Sequence, residues 1–320
     1  MNDSKATKRA TLGVLSFVVL SLLLAPLARV AIADEVEQGS NVRVNASENQ
    51  AQISSHIKSS AVEKEFKAQM ETSHGVRLKV EFDSETANMS RELELEATFA
   101  KVVEFTDSSG TLTTSSTVLQ TVDLEQLTYS RVSANQVTVG GVQGYQLATQ
   151  GVQGNFTFKV VASTFPSSIN INSTSLSPSA LKIVLGINNY PYKQTDSLLA
   201  LQVNTESDRS IDVSETESQH AVKSLDSTLG EQAVFSWNGP LTVDGKSASV
   251  KVSATSQSDE QKSLNIVYPH GNSIVHDPML GVFLVGVPFY AQTNFIIGIA
   301  AVVIMVIAVS VVIVAKNGRK

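Results

Sequence analysis

Two apolar runs, residues 12–33 and 295–315, bracket a polar segment, and that layout constrains the chain more than any motif within it. The first run follows Lys5, Lys8 and Arg9, has an apolar body LGVLSFVVLSLLLA over residues 12–25, and closes on Ala31, Ile32 and Ala33. A basic head, a short apolar body and an Ala-x-Ala end are the parts of a secretory signal peptide, which predicts cleavage after Ala33. An uncleaved anchor is the other reading, but Pro26 and Arg29 break the run before it reaches the roughly 20 residues of a span.

Residues 295–315 carry no charge and, at about 1.5 Å per helical residue, are long enough to cross the hydrocarbon core as a transmembrane helix. Lys316, Arg319 and Lys320 follow at once. Basic residues are retained on the cytoplasmic side, so residues 316–320 are expected inside as a short tail and residues 34–294 outside. A lipid-anchor signal also ends in an apolar tail, but there the tail terminates the precursor, whereas this one has a basic stop behind it. The pattern predicts a single-pass type I protein in the plasma membrane or another secretory-pathway membrane. Its work would be done outside, or by lateral association.

Within residues 34–294, 17 Lys and Arg stand against 29 Asp and Glu, a net charge near −12. The acidity is dispersed, which reads as a solvated surface and argues against a nucleic-acid partner. With no cysteine, an exported segment of this kind must hold together through its core alone, and thiol nucleophiles and zinc-finger or iron–sulfur ligation are excluded. Sequons at Asn45, Asn88, Asn155 and Asn172 matter because the topology would expose them to glycosylation; their number is about what chance gives.

Polar residues 34–60 read as a flexible lead-in and residues 61–70 as a short helix, so that residues 34–75 precede the folded domain. From Val76 the period changes to two. Val76, Leu78, Val80 and Phe82 alternate with charged residues, as do Leu93, Leu95, Ala97 and Phe99. In all, about a dozen short strands are expected, between Gly, Asn, Ser and Pro turns, with no long helix among them. These predict an all-β fold, an antiparallel β-sandwich over residues 76–287. GVQG at 141–144 recurs at 151–154, a local echo around two turns.

Catalytic signatures are lacking: no nucleophile elbow, zinc helix, phosphate loop or EF-hand spacing occurs, so no catalytic residue and no cofactor is expected. His270, His276 and Asp277 form a close cluster that reads either as metal ligands brought together by a folded loop or as ordinary turn residues among Pro269, Gly271 and Pro278. Asp107, in the DSSG turn at 107–110, reads as a calcium ligand or as an Asx turn. Trp237 reads as a sugar-stacking platform or as a core plug.

Three stretches in order carry a resemblance: residues 93–124, including VEFTDSSG at 103–110 and VLQTVDL at 118–124; FSW at 235–237 with VDG at 243–245; and IVHDP at 274–278 with Gly281. Together they resemble the acidic skeletal organic matrix proteins of stony corals and similar surface proteins of unicellular eukaryotes. The resemblance implies an extracellular β-rich domain facing a matrix, with no catalytic residues to carry over. The Asp- and Glu-rich tracts of the coral proteins have no counterpart here, so biomineralisation is not implied. The leading expectation is a non-enzymatic surface protein whose ectodomain contacts matrix, glycan or another cell. The alternatives are a surface hydrolase with two carboxylates about 5–9 Å apart, which needs no sequence motif, and a calcium-binding matrix protein.

Overall fold

The computed structural model describes residues 35–38, 42–58, 62–86, 89–139, 142–165, 169–171, 174–176, 179–216, 219–226 and 231–284. The predicted signal peptide (residues 1–33), transmembrane helix (295–315) and tail (316–320) lie outside these residues, as do Asn88 and Asn172. Among the described residues no helix is long and apolar enough to cross a membrane.

The strands run, in chain order, β1 Glu35–Gln38, β2 Val42–Ala46, β3 Gln50–Lys58, β4 Val62–Glu71, β5 Val76–Thr86, β6 Met89–Thr106, β7 Thr117–Asp123 and β8 Thr128–Tyr129. Next come β9 Ser133–Val139, β10 Val142–Gln153, β11 Phe156–Thr164, β12 Ile169–Ile171, β13 Thr174–Leu176, β14 Ala180–Asn188, β15 Leu198–Ser207 and β16 Ile211–Thr216. The last are β17 Gln219–Asp226, β18 Glu231–Ser236, β19 Leu241–Val243, β20 Lys246–Ser247, β21 Lys251–Ser256, β22 Gln261–Tyr268, β23 Ser273–His276 and β24 Met279–Leu284.

The named strands pair antiparallel in two large sheets and one small hairpin. The first sheet has the order β1-β2-β3-β4-β5-β6-β15-β22-β21, with β7 on the far half of β6. The second runs β16-β17-β18-β24-β14-β11-β10, with β8 and β9 on β10, and with β23 joining β14 to the β19–β20 hairpin. β12 pairs with β13 alone. Alternation explains the pairing: in β11 Phe156, Phe158, Val160 and Ala162 are buried while the residues between them are half-buried. One core cluster takes Leu78, Leu95 and Phe99 from the first sheet and Phe158, Leu185, Phe235 and Leu280 from the second. Phe99 meets Phe158 across it at 5.8 Å between ring centroids. The result is all-β and sandwich-like, and each such side chain contributes roughly 1.5–3 kcal/mol by leaving water.

The alternating run expected over residues 93–99 continues without a turn to Thr106 as a single strand, β6, interrupted by a bulge. Its partner β15 sets Gln202 opposite Lys101 and Val203 opposite Phe99, so Ala100 is the extra residue. An extra residue reverses which side chains face the core. Before it, Leu93, Leu95, Ala97 and Phe99 enter the main cluster; after it Val102 does, while Val103 and Phe105 turn to a second cluster with Ala200 and Val267.

The lead-in and short helix expected over residues 34–75 are corrected. Residues 62–71 form β4, and β1 to β4 continue the first sheet outward from β5. Ala, Glu, Lys, Gln and Met favour helix, but Phe66, Ala68 and Met70 are buried at every second position, paired with Phe82, Val80 and Leu78 of β5. Burial against a neighbouring strand outweighs the few tenths of a kcal/mol per residue that separate these propensities.

Candidate interaction surface at the loop end

The register of β14 gives the second sheet a direction. Ala180 lies opposite Gly281 of β24, and Asn188 lies opposite Ser273 of β23, eight residues or about 27 Å further along. The chain leaves β24 past Leu284, beyond the Ala180 end. At the Asn188 end gather the turns at 153–156, 189–197, 243–246 and 269–273. Residues 107–116 join them, since Phe105 pairs with Leu198 at the start of β15.

Hydrogen bonds tie these loops into one platform. Asn189 donates its N–H to the Asn272 carbonyl at 2.8 Å, and Ser273 Oγ donates to Asn188 Oδ1 at 2.8 Å. Asp244, held in the left-handed region at φ 49°, accepts the N–H groups of Asn272 and Ser273 at 3.0 and 2.9 Å. An aromatic file runs from Phe156 to Tyr190 (5.8 Å), Tyr192 (5.0 Å) and His270 (3.9 Å). Burial pushes the Tyr192 hydroxyl up to about 12, so it stays protonated, and it accepts the Gly271 N–H.

Glu104, buried on the bulged half of β6, anchors the loop over residues 189–197. Its carboxylate accepts the Lys193 N–H on both oxygens at 2.9 Å, the Gln194 N–H at 2.9 Å and the Ser197 hydroxyl at 2.8 Å. Charge-assisted bonds of this kind offset the cost of burying a carboxylate. Glu104 belongs to no motif and is not among the residues expected to be functional. The available signal was one acid inside the apolar run VVEF.

The histidine cluster does not assemble as a metal site. His276 is fully buried in a relay that joins the sheets: its ring contacts the Tyr268 hydroxyl of β22 at 3.0 Å through Nδ1 and the Trp237 carbonyl at 2.9 Å through Nε2. A carbonyl only accepts, so Nε2 carries the proton and Nδ1 accepts from Tyr268; neither nitrogen is left for a metal. Burial lowers the His276 pKa to about 4. Asp277 pairs instead with Lys182 at 3.2 Å; burial raises its pKa, and the lysine works against that rise. His270 stacks on Tyr192. Its buried Nδ1 has no hydrogen-bond partner among the described residues.

Asp107 forms the Asx turn. It accepts the Ser109 N–H at 2.7 Å and the Ser109 and Ser116 hydroxyls at 2.6 and 2.7 Å, and these bonds lower its pKa. Trp237 is 1% exposed and packs against Phe235, so it is a core plug and offers no face to a sugar. Asn155 stands exposed at the β10–β11 turn beside Gly154, whose φ is +59°. Asn45 sits half-buried within β2, between β1 and β3.

Beside the platform lies a cavity of about 530 Å³. Its floor includes Leu241, Ala248, Val250 and Val252, its rim Thr111, Asn238 and Ser249, and Lys251 is its one charged lining residue. Acidic groups collect elsewhere, on the outer face of the first sheet. There Glu81, Glu92 and Glu94 bring carboxylate oxygens within 4.8 Å of one another. Lys79 binds Glu94 at 2.5 Å, and Lys67 binds Glu81 and Asp83, so the trio belongs to a ladder of ion pairs across β4, β5 and β6. Burial and the neighbouring Glu81 raise the Glu92 pKa. No protein-family model matches the chain, and a comparison with curated proteins finds no match.

Proposed function

We propose that the chain is a non-enzymatic, single-pass type I surface protein that presents the loop platform to extracellular matrix, a glycan or another cell. The direction of the β-sheet carries this reading: the braced loops lie at the end opposite the point where the chain leaves β24 toward residues 295–315. The strands, from Glu35 to Leu284, also fall inside the segment that the flanking runs would export. Of the two sequons at described residues, Asn155, at an exposed turn on that end, is better placed to carry a glycan than Asn45, half-buried within β2.

Protease added to intact cells bearing a C-terminal tag tests the reading, together with the mass of the mature N-terminus. Removal of residues 34–294, a protected tag fragment and an N-terminus at Asp34 are expected. A protected middle segment would replace it with an inverted or internal topology. Calorimetric heat with calcium, abolished by Glu94→Gln, would favour the divalent-ion matrix alternative. Substrate turnover by the ectodomain, abolished by changing one carboxylate, would favour the hydrolase.

A further inference from the structure

We infer that the cavity beside β21 is a docking site for an extended peptide that carries an apolar side chain next to an acidic one. The inference rests on the surface-protein reading for its biology but not for its chemistry.

Three observations converge. β21 ends the first sheet: among the described residues it pairs with β22 and with no second strand, so one row of its backbone donors and acceptors faces away from the ladder. An edge of this kind is completed by another extended backbone, and a side-chain pocket at its start then selects the residue that the added strand inserts. The cavity sits at that start, where residues 248–250 cross from the β19–β20 hairpin to β21 with Ala248 bonded back to the Leu241 carbonyl. At about 530 Å³ it falls within the range of ligand pockets and has room for one or two side chains.

Charge selects among peptides. Acidic groups exceed basic ones by 12 over residues 34–294, yet no carboxylate lines this cavity. Among the described residues Lys251, at its wall, forms no ion pair, and its ammonium donates to the Ser109 carbonyl alone, at 2.9 Å. It rests over Gly110, where a Cβ would lie 2.8 Å from Nζ, so a side chain at 110 would displace it. A cation anchored by one neutral bond favours an anionic group on the incoming strand. The Trp237 ring is buried in the wall, which removes the stacking face a sugar would need.

The test is selection of a random heptapeptide display library on the purified full chain in detergent, with the Lys251→Glu variant and a glycan array in parallel. The expected peptides combine a large apolar residue with Asp or Glu at a fixed spacing. Lys251→Glu should weaken them about fivefold and shift selection toward Lys and Arg. Val250→Asp, which charges the floor, should weaken them about tenfold or more. Peptides that bind the wild type and Lys251→Glu equally overturn the inference, as does an absence of enrichment or binding to glycans alone. Because Lys251 is exposed, its variant keeps the test valid if Val250→Asp fails to fold. Binding in detergent is independent of topology, so a negative result here leaves the protease-protection outcome to judge the surface reading separately.

Discussion

The outer face of the first sheet and the loop end both concentrate polar groups, but in opposite physical settings. On the sheet face Lys67, Arg77 and Lys79 lie among Glu65, Glu71, Glu81, Asp83, Glu94 and Glu96, with side chains 17–41% exposed. Water and salt screen such pairs, and any one of them can be lost at small cost. Beneath the loop end Glu104 and His276 are buried with their partners fixed, so removing either group strands two or more others in low dielectric. The ladder therefore adjusts surface charge, while the buried bonds decide whether the platform keeps its shape.

Breaking the closely packed backbone and the buried bonds should show the largest effects. Gly239→Ala would place a Cβ 1.6 Å from the Asp277 carbonyl oxygen, a collision with backbone that no rotamer relieves. A destabilisation of about 3 kcal/mol or more is expected in urea unfolding. Glu104→Gln keeps the shape but loses the charge that the Lys193 and Gln194 amides face, and should cost about 2 kcal/mol. Faster hydrogen exchange at residues 193–197 would locate that loss.

Acid should separate the two regions further. The folded pKa of His276, about 4, lies below the reference 6.5, so the fold favours the neutral ring. Its contribution is complete above about pH 6.5 and is lost as pH falls toward 4, about 3 kcal/mol in all. Protonation would make Nδ1 a donor against the Tyr268 hydroxyl, which must then give up its own bond to the ring. Urea midpoints at pH 7.5 and 4.5 should fall less for His276→Gln than for the wild type; equal falls would refute this role. The smallest effect is expected on the ladder. Lys79→Ala should change stability by under about 1 kcal/mol, and by less still at high salt.

Legibility in the sequence follows the same division. Strands with one wet face announced themselves, since Val76 to Phe82 and Leu93 to Phe99 alternate without interruption. β4 was hidden because its exposed positions hold good helix formers. The bulge at Ala100 was hidden too: nothing local distinguishes an extra residue from a turn between two strands. The proximity of His270, His276 and Asp277 in sequence suggested one site, but alternation along β23 and the turns beside it sends them to Tyr192, Tyr268 and Lys182. Asp107 was legible as a turn because an Asx turn is local. Glu104 was not, because its partners lie 89 to 93 residues away.

Whether the loop end faces away from the membrane, as proposed, is directly measurable because the chain contains no cysteine. Asn155→Cys places a label on the β10–β11 turn. Ser210→Cys places one on the exposed β15–β16 turn, level with Val282 through the pairs Ile211–Ser224, Ser224–Ala233 and Ala233–Val282. On intact cells both should react with an impermeant maleimide dye, and energy transfer to an acceptor in the outer leaflet should be weaker from residue 155 than from residue 210. Stronger transfer from residue 155, or failure of both sites to label, would contradict the account.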